Sequence, residues 1–343
     1  MKPPIHTPTV DTPHSDTQAM LLATSRWKPW EPALWLLAFV APLVMPGHAL
    51  LISEIAIVAL FALSLDLILG YTGIVSLGHA AFFGIGAYTA ALFAKLVMPD
   101  PLVGLLVALL VATALGAVCS LTILRGSDLT RLMVTLGMAL ILLELANKLD
   151  WLTGGADGLQ GVVMGPVLGL FEFDLTGRVA AFYALGVGLV FFLLLRRLVY
   201  SPFGATLKAI RDNRLRAMAI GIPVASRLAV IYTVAAGVAG VAGGLLAQTT
   251  GFASLDLFAF DRSADLMLML VIGGTGWLWG GIAGAIVFKL MHNVISAITP
   301  QYWTFWIGLF LVVLVLVGRE KLLRPWTWFG KGLNPGKNKD TAP

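Results

Sequence analysis

The sequence predicts an all-α polytopic membrane protein of about ten transmembrane helices, some short or broken. Three observations predict it. Hydrophobic residues make up 58% of the chain, charged residues only 12%, and the mean hydropathy is +0.89, values that belong to a membrane protein. Ten apolar runs follow one another at 33–46, 50–70, 80–97, 102–124, 132–149, 179–198, 228–249, 264–276, 278–298 and 304–318, each spanning or nearly spanning in length. The basic residues sort to alternate sides of these runs.

Residues 1–32 are polar and proline-rich and read as a disordered cytoplasmic leader. They lack the apolar core of a cleavable signal, so the first span is expected to stay in the chain as a signal-anchor. The transmembrane domain is placed at 33–318. Runs 33–46 and 264–276 are short, with re-entrant or broken forms as the alternative, but the charges favour keeping both. With the N-terminus in the cytoplasm, eighteen of the 23 basic residues fall on inside segments and two, Arg178 and Arg262, on outside loops. Removing one span would flip every later loop and destroy that positive-inside split. Lys95 and Lys148 stand near outer helix ends, where long side chains snorkel; Lys289 lies within a span. The outside loop 150–178 and the inside loop 199–227 follow, and residues 319–343 form a cytoplasmic tail. Trp326, Trp328 and Phe329 beside Arg324 and Lys331 suit the headgroup zone.

Composition also excludes function classes. The single cysteine, Cys119, lies in an apolar run, which leaves no disulfide framework and no zinc or other metal cluster. The net charge of +5 is not gathered into an aromatic-interleaved patch, so no nucleic-acid partner is expected. The nearest string to a phosphate loop, Gly336-Lys337-Asn338, has Lys331 where glycine is required and Asn338 where Ser or Thr is required. No nucleophile–base pair is discernible, and no catalytic residue is assigned.

Glycine marks two kinds of position. Gly237, Gly240 and Gly244 on one span, and Gly280 and Gly284 on another, make small faces for close helix packing, with hinge motion as the alternative. Gly70–Gly86 holds five glycines and Gly273–Gly284 holds six. Both stretches are read as helix breaks or kinks at membrane depth, tolerated where protein or a water-filled cavity satisfies the freed backbone, and paired interruptions point to a transport route. The route candidates are Asp66, Gly70, Tyr71, Gly73, Ser76, Gly78, His79, Gly273, Gly274 and Gly276.

Ionisable residues within spans are functional candidates because each charge costs about 2.5–3.5 kcal/mol on insertion scales. Asp66 is expected either to accept backbone N–H bonds and orient the break beside it or to line the route. Glu144 and Lys148, with Asn147 beside them, are expected to pair on one helix. His79 is read as a capping or packing residue, with a proton-carrying role as the alternative. Gln248, Asp265, His292 and Asn293 are weaker candidates of the same kind.

The inside loop carries Ser201-Pro202-Phe203-Gly204-Ala205-Thr206-Leu207-Lys208-Ala209-Ile210-Arg211-Asp212-Asn213-Arg214-Leu215-Arg216-Ala217-Met218-Ala219-Ile220-Gly221. After Pro202 and Gly204 it reads as one helix of about three turns with apolar Leu207, Ile210, Leu215, Met218 and Ala219, ended by Gly221 and Pro223. Such a helix fits docking on a partner subunit or, equally from pattern, lying on anionic membrane lipid.

The segment Leu67–Tyr88, LILGYTGIVSLGHAAFFGIGAY, closely resembles the signature of the LivM-like membrane subunits of ATP-binding-cassette (ABC) importers for branched-chain amino acids. Thr153–Leu159 (TGGADGL), Lys208–Asn213 (KAIRDN) and Gly273–Gly280 (GGTGWLWG) agree with that family in the same order, over about 50–320. The resemblance implies a permease subunit of ABC-importer type that pairs with a second related permease subunit, two cytoplasmic ATP-binding subunits and an extracytoplasmic substrate-binding protein in the cell inner membrane. It also implies that this chain binds no cofactor, ATP and Mg being used by its partners. By likeness the inside loop becomes an ATPase-coupling loop, with Gly204, Lys208, Arg211, Asp212, Asn213, Arg216, Ala217 and Gly221 as its candidate residues. Sister permeases for urea, amides or aromatic acids are the alternative within the family. Outside it stand an ion-driven secondary transporter, cycling Asp66, Glu144 or Asp265, and a membrane enzyme on lipid-linked substrates, for which no His/Asp/Glu cluster is present.

Overall fold

A computed structural model describes residues 27–317 except 125, 127 and 175. The leader as far as 26 and the tail from 318 lie outside the described residues, and with them the expectations placed there. Among the described residues thirteen α-helices succeed one another: α1 Trp30–Val44, α2 Ala49–Thr72, α3 Ala80–Leu96, α4 Pro101–Ile123, α5 Asp128–Lys148, the short α6 Asp150–Thr153, α7 Arg178–Val199, α8 Pro202–Asp212, α9 Arg214–Ala219, α10 Val224–Thr250, α11 Phe260–Gly273, α12 Leu278–Ile298 and α13 Trp303–Val317. Only isolated β-bridges occur among the described residues. Among the described residues six helical stretches are long and apolar enough to cross a membrane: Pro46–Thr72, α4, α5, α7, α10 and α12. The helices α1, α3 and α13 are shorter and apolar, and α11, at 14 residues, rises only about 21 Å. The protein is therefore a multi-pass helical membrane protein.

α2 and α10 are the buried centre. α10 packs on α3, α4 and α2, α2 also on α7 and α12, and α11 on α12. Small residues let these backbones meet. Gly237, Gly240 and Gly244 of α10 face Thr113, Ala112 and Leu105 of α4, while Gly243 faces the backbone of α3 at Phe83 and Gly86 faces that of α10 at Gly240. In lipid such contacts replace the hydrophobic drive that brings helices together in water. Polar links are few and specific. Tyr183 Oη donates to Gln248 Oε1 at 2.8 Å and Gln248 Nε2 to the Pro101 carbonyl at 2.8 Å, joining α7, α10 and the start of α4. Glu31, at the start of α1, pairs with Arg196 near the end of α7, both buried, and the Arg196 guanidinium also lies over the Trp27 ring at 4.1 Å.

Several expectations are revised. The glycine-rich stretches are interrupted only at 73–79 and 274–277; α3 runs unbroken through Gly84 and Gly86, and α12 through Gly280, Gly281 and Gly284. The glycines inside these helices serve packing: Gly84 accommodates the Phe258 ring, and Gly280 and Gly284 the α11 backbone. Glu144 and Lys148 are exposed, and no ion pair joins them among the described residues. The inside-loop segment forms two helices, because Asn213 adopts an extended backbone and its Oδ1 caps α9 by accepting the Arg216 N–H at 2.9 Å. An asparagine in that conformation favours a new helix start over continuation.

An added Cβ on Gly243 would overlap the Phe83 carbonyl, whereas one on Gly137 meets nothing within 4 Å. Gly243→Ala is expected to destabilise the detergent-solubilised protein by about 1–3 kcal/mol through overpacking. Gly137→Ala should leave it unchanged or stabilise it by up to about 1 kcal/mol, both read as thermal melting by intrinsic fluorescence.

Candidate functional site

The two interruptions meet at one face of the bundle, together with α8. α2 closes at Gly73, which adopts the left-handed conformation (φ 75°) and donates its N–H to the Leu69 carbonyl at 3.1 Å. From α11 the chain turns through Gly274–Trp277, with Gly276 also at positive φ (78°). The Gly276 N–H donates to Asp66 Oδ1 at 2.8 Å, one turn before Gly70. Asp66 is fully buried, and its Oδ2 has no hydrogen bond among the described residues. Asp66 thus holds a backbone N–H, as one of the two sequence alternatives expected, but in the second interruption instead of the one beside it.

α8 completes the junction. Ser201 and Pro202 start it, the serine Oγ accepting the Gly204 N–H at 3.4 Å and proline occupying the first turn, where its missing N–H is harmless. Gly204, Leu207 and Ile210 are buried, Gly204 directly against the Val199 carbonyl. That face seats α8 on α2, α7 and α10. From the seated helix Arg211 Nη1 donates to the Gly70 carbonyl, near the end of α2, where helix carbonyls lack partners and a cation is favoured. A Cβ on Gly276 would lie 2.6 Å from that guanidinium and 3.0 Å from the Gly70 oxygen; one on Gly73 would lie 3.6 Å from Arg211 Cγ. Lys208, one turn earlier, sits 5.7 Å from the buried Tyr71 ring and 5.9 Å from that of Tyr200.

The structure therefore brings together Asp66, Gly70, Tyr71, Gly73, Lys208, Arg211 and Gly276. Gly273 and Gly274 abut the Gly280 backbone of α12. Ser76, Gly78 and His79 lie apart from this junction, deeper in the bundle. His79 Nε2 is 2.8 Å from Ser64 Oγ, eight residues or about 12 Å of helix from Thr72. Since Ser64 donates its proton to the Phe61 carbonyl at 2.6 Å, it receives one from His79. The imidazole is fully buried between Phe61 and Phe82, a packing role. α3 therefore begins inside the bundle. Its first N–H, from Ala80, is taken by Ser263 Oγ of α11 at 3.0 Å, and the Leu77 N–H by Thr135 Oγ1 of α5 at 3.3 Å. Gly78 is seated on the Thr135 carbonyl, and Ser76 is buried with no hydrogen bond to its Oγ among the described residues.

The remaining loop candidates face outward. Ala217 is buried, but Asp212, Asn213, Arg216 and Gly221 are exposed, Gly221 at φ 86° ending α9. Leu215, Met218 and Ile220 are 75%, 47% and 70% exposed, so the single apolar ridge expected across the loop divides into an α8 half turned into the bundle and an α9 half left bare. Sequence reading missed Ser64, Thr135 and Ser263, whose hydroxyls carry no distinguishing pattern. It also missed Glu54, an isolated carboxylate in an apolar run that the cost of intramembrane charge could have flagged.

Replacing Asp66 by Ala leaves the Gly276 N–H without its acceptor, a loss of about 1–3 kcal/mol for a buried donor. Asp66→Ala and Gly276→Ala are each expected to lower the melting temperature and to open the 274–277 turn to proteolysis. The outward-facing Asp212→Ala should do neither.

Comparison with known proteins agrees with this architecture. The family model described as "Branched-chain amino acid transport system / permease component" matches residues 49–317. The chain is 27% identical to the high-affinity branched-chain amino acid transport system permease protein LivM of Escherichia coli K12, over 89% of this chain and 76% of that protein. It is 24% identical to the probable branched-chain amino acid transport permease protein LivM of Methanocaldococcus jannaschii, over 75% of this chain and 86% of that one. It is also 24% identical to the permease protein LivH of E. coli K12, over 76% and 88% respectively. No solved structure matches. With the family model matching residues 49–317, from the start of α2 to the end of α13, the chain belongs to the family of branched-chain amino acid transport system permease components.

Proposed function

We propose that this chain is one permease subunit of an ABC importer that carries branched-chain amino acids across the cytoplasmic inner membrane. In this reading the ten apolar helices α1–α5, α7 and α10–α13 all belong to the membrane domain, with both termini cytoplasmic. The face bearing α8 and α9 is cytoplasmic, and the 150–177 segment is extracytoplasmic, where a substrate-binding protein would dock. A second related permease completes the pathway, as the occurrence of both LivM and LivH among the relatives suggests. Two ATP-binding subunits engage α9. Energy comes from those partners; the residues described in this chain hold and transmit.

The observation that carries the reading is the division of labour between the two short helices. α8 is seated in the bundle and bonded through Arg211 to the Gly70 carbonyl, while α9 offers Leu215, Met218 and Ile220 to whatever lies beyond it, flanked by Arg214 and Arg216. A surface lipid contact would use the same charges, but it would not require a rigid connection from that helix to both interruptions. Movement imposed on α9 passes through Asn213 to α8, and from Arg211 to the ends of α2 and α11.

The test separates docking from folding. Met218→Asp lies on the exposed ridge and is expected to abolish copurification with the ATP-binding subunits and to lower ATP-driven leucine uptake at least tenfold, with membrane insertion and melting temperature unchanged. Arg211→Glu and Gly221→Pro should abolish uptake while insertion persists. Full uptake by all three variants would refute the coupling role.

A further inference from the structure

We infer that the charged face formed by Glu54 of α2, Asp265 of α11 and Lys289 of α12 is a water-exposed wall of the transport pathway, where the ammonium and carboxylate of a zwitterionic amino acid are handed across the bilayer. This rests on the reading of the chain as an amino-acid permease. It concerns a set of residues distinct from the Asp66–Arg211 junction.

Lys289 Nζ donates to Glu54 Oε2 at 3.0 Å, joining α12 to α2. The Lys289 side chain is 18% exposed and that of Glu54 47%. Lys289 is the twelfth residue of the 21 in α12, and Glu54 is the sixth of α2, in its second turn. Asp265 of α11 lies within electrostatic reach of the cations Arg262 and Lys289 and of the carboxylates Asp261 and Asp256, and His292, one turn along α12, within reach of Lys289, Glu54 and Arg262. Arg262 is itself paired with Asp256 at 2.6 Å, and the Asp265 carboxylate takes no hydrogen bond among the described residues.

Charge of both signs, partly exposed and part-way along apolar helices, does not face hydrocarbon. It faces water or another protein surface. Structural pairing alone accounts for Lys289 and Glu54 but not for the adjacent Asp265, which has neighbouring cations and no bonded partner. The arrangement fits a small zwitterion: the Lys289 ammonium takes the carboxylate, while Glu54 and Asp265 take the ammonium. A transient exchange of this kind keeps each charge compensated as the solute passes, the condition under which charges survive at low dielectric. The apolar side chain of the solute would be left to the hydrophobic surfaces beside them, which explains how one wall could serve several branched-chain solutes.

Accessibility provides the direct test. In a Cys119→Ala background, with the chain assembled with its partner subunits in proteoliposomes, Lys289→Cys and Asp265→Cys are expected to react with a charged, membrane-impermeant thiosulfonate added to both sides. Their rates should exceed at least tenfold that of Leu106→Cys, an exposed apolar position on α4. Reaction no faster than Leu106→Cys overturns the inference. Lys289→Gln and Asp265→Asn should also lower leucine carried per ATP hydrolysed at least tenfold; an unchanged ratio in both variants overturns it as well. The two readings fail separately. Rapid labelling of the cysteine variants, with a wild-type assembly that carries no branched-chain amino acid, would support the wet face and remove the assigned substrate, whereas slow labelling of the variants, with a wild-type assembly that carries leucine, would remove the face alone.

Discussion

The bond from Arg211 to the Gly70 carbonyl is the constraint on which the rest of this face depends. A helix that ends inside a membrane protein leaves carbonyls without intrahelical partners, and burial makes each omission expensive. α2 ends by turning at Gly73 and by taking a guanidinium from another helix. That solution fixes α8, because a side chain long enough to reach the carbonyl must start from a seated backbone, and Leu207 and Ile210 provide the seat. It also fixes the 274–277 turn. Gly276 occupies the space between Arg211 and Gly70, where a Cβ would lie 2.6 Å from the guanidinium, and Asp66 accepts its N–H from the opposite side.

One consequence is mechanical. The ends of α2 and α11 are separated by two hundred residues of chain yet share a single polar node, so neither can shift relative to α8 without breaking a bond or carrying the other with it. Packed interiors respond to such demands by moving as units. α3 is anchored differently: its start is held deep in the bundle by Ser64, Thr135 and Ser263 through His79, Leu77 and Ala80. The fold is thus tied at two levels, one near α8 and one inside the bundle.

Much of this was legible in the sequence. Every apolar run coincides with a helix, because twenty apolar residues in lipid have few other ways to satisfy their backbone. Both interruptions fall inside the predicted glycine-rich stretches, and a bond from Asp66 to a backbone N–H was one of two alternatives read for it, placed in the break beside it and not at Gly276. What could not be read was pairing between distant segments. Nothing local distinguishes Gly276 from Gly73 as the donor to Asp66, and the glycines at 84, 86, 280, 281 and 284 look alike to those at the breaks until a neighbouring helix is placed against them. The split at Asn213 was in principle visible, as an N-cap residue three positions before Arg216, but helical propensity on either side concealed it. Arg211 was named only as a coupling-loop candidate. That its guanidinium reaches the Gly70 carbonyl while the residue stays largely exposed depends on which face of α8 the bundle buries, and a helix of eleven residues carries apolar residues on too few turns to settle that alone.

The charge distribution, which first indicated orientation, is also constrained by this architecture. The basic residues near the α8 face have work of two kinds: Arg211 and Arg196 are committed to bonds within the protein, while Arg214 and Arg216 remain exposed. A positive-inside count treats all four alike, since it reflects only which loops resist translocation. The same limit applied to Arg262, which counted as an outside-loop charge and proves to stand in the first turn of α11, paired with Asp256. Charge counting therefore gives the topology of a membrane protein and leaves the function of each charge to its partners. Here those partners divide the ionisable residues into a node that holds the helices together and a wall that faces water.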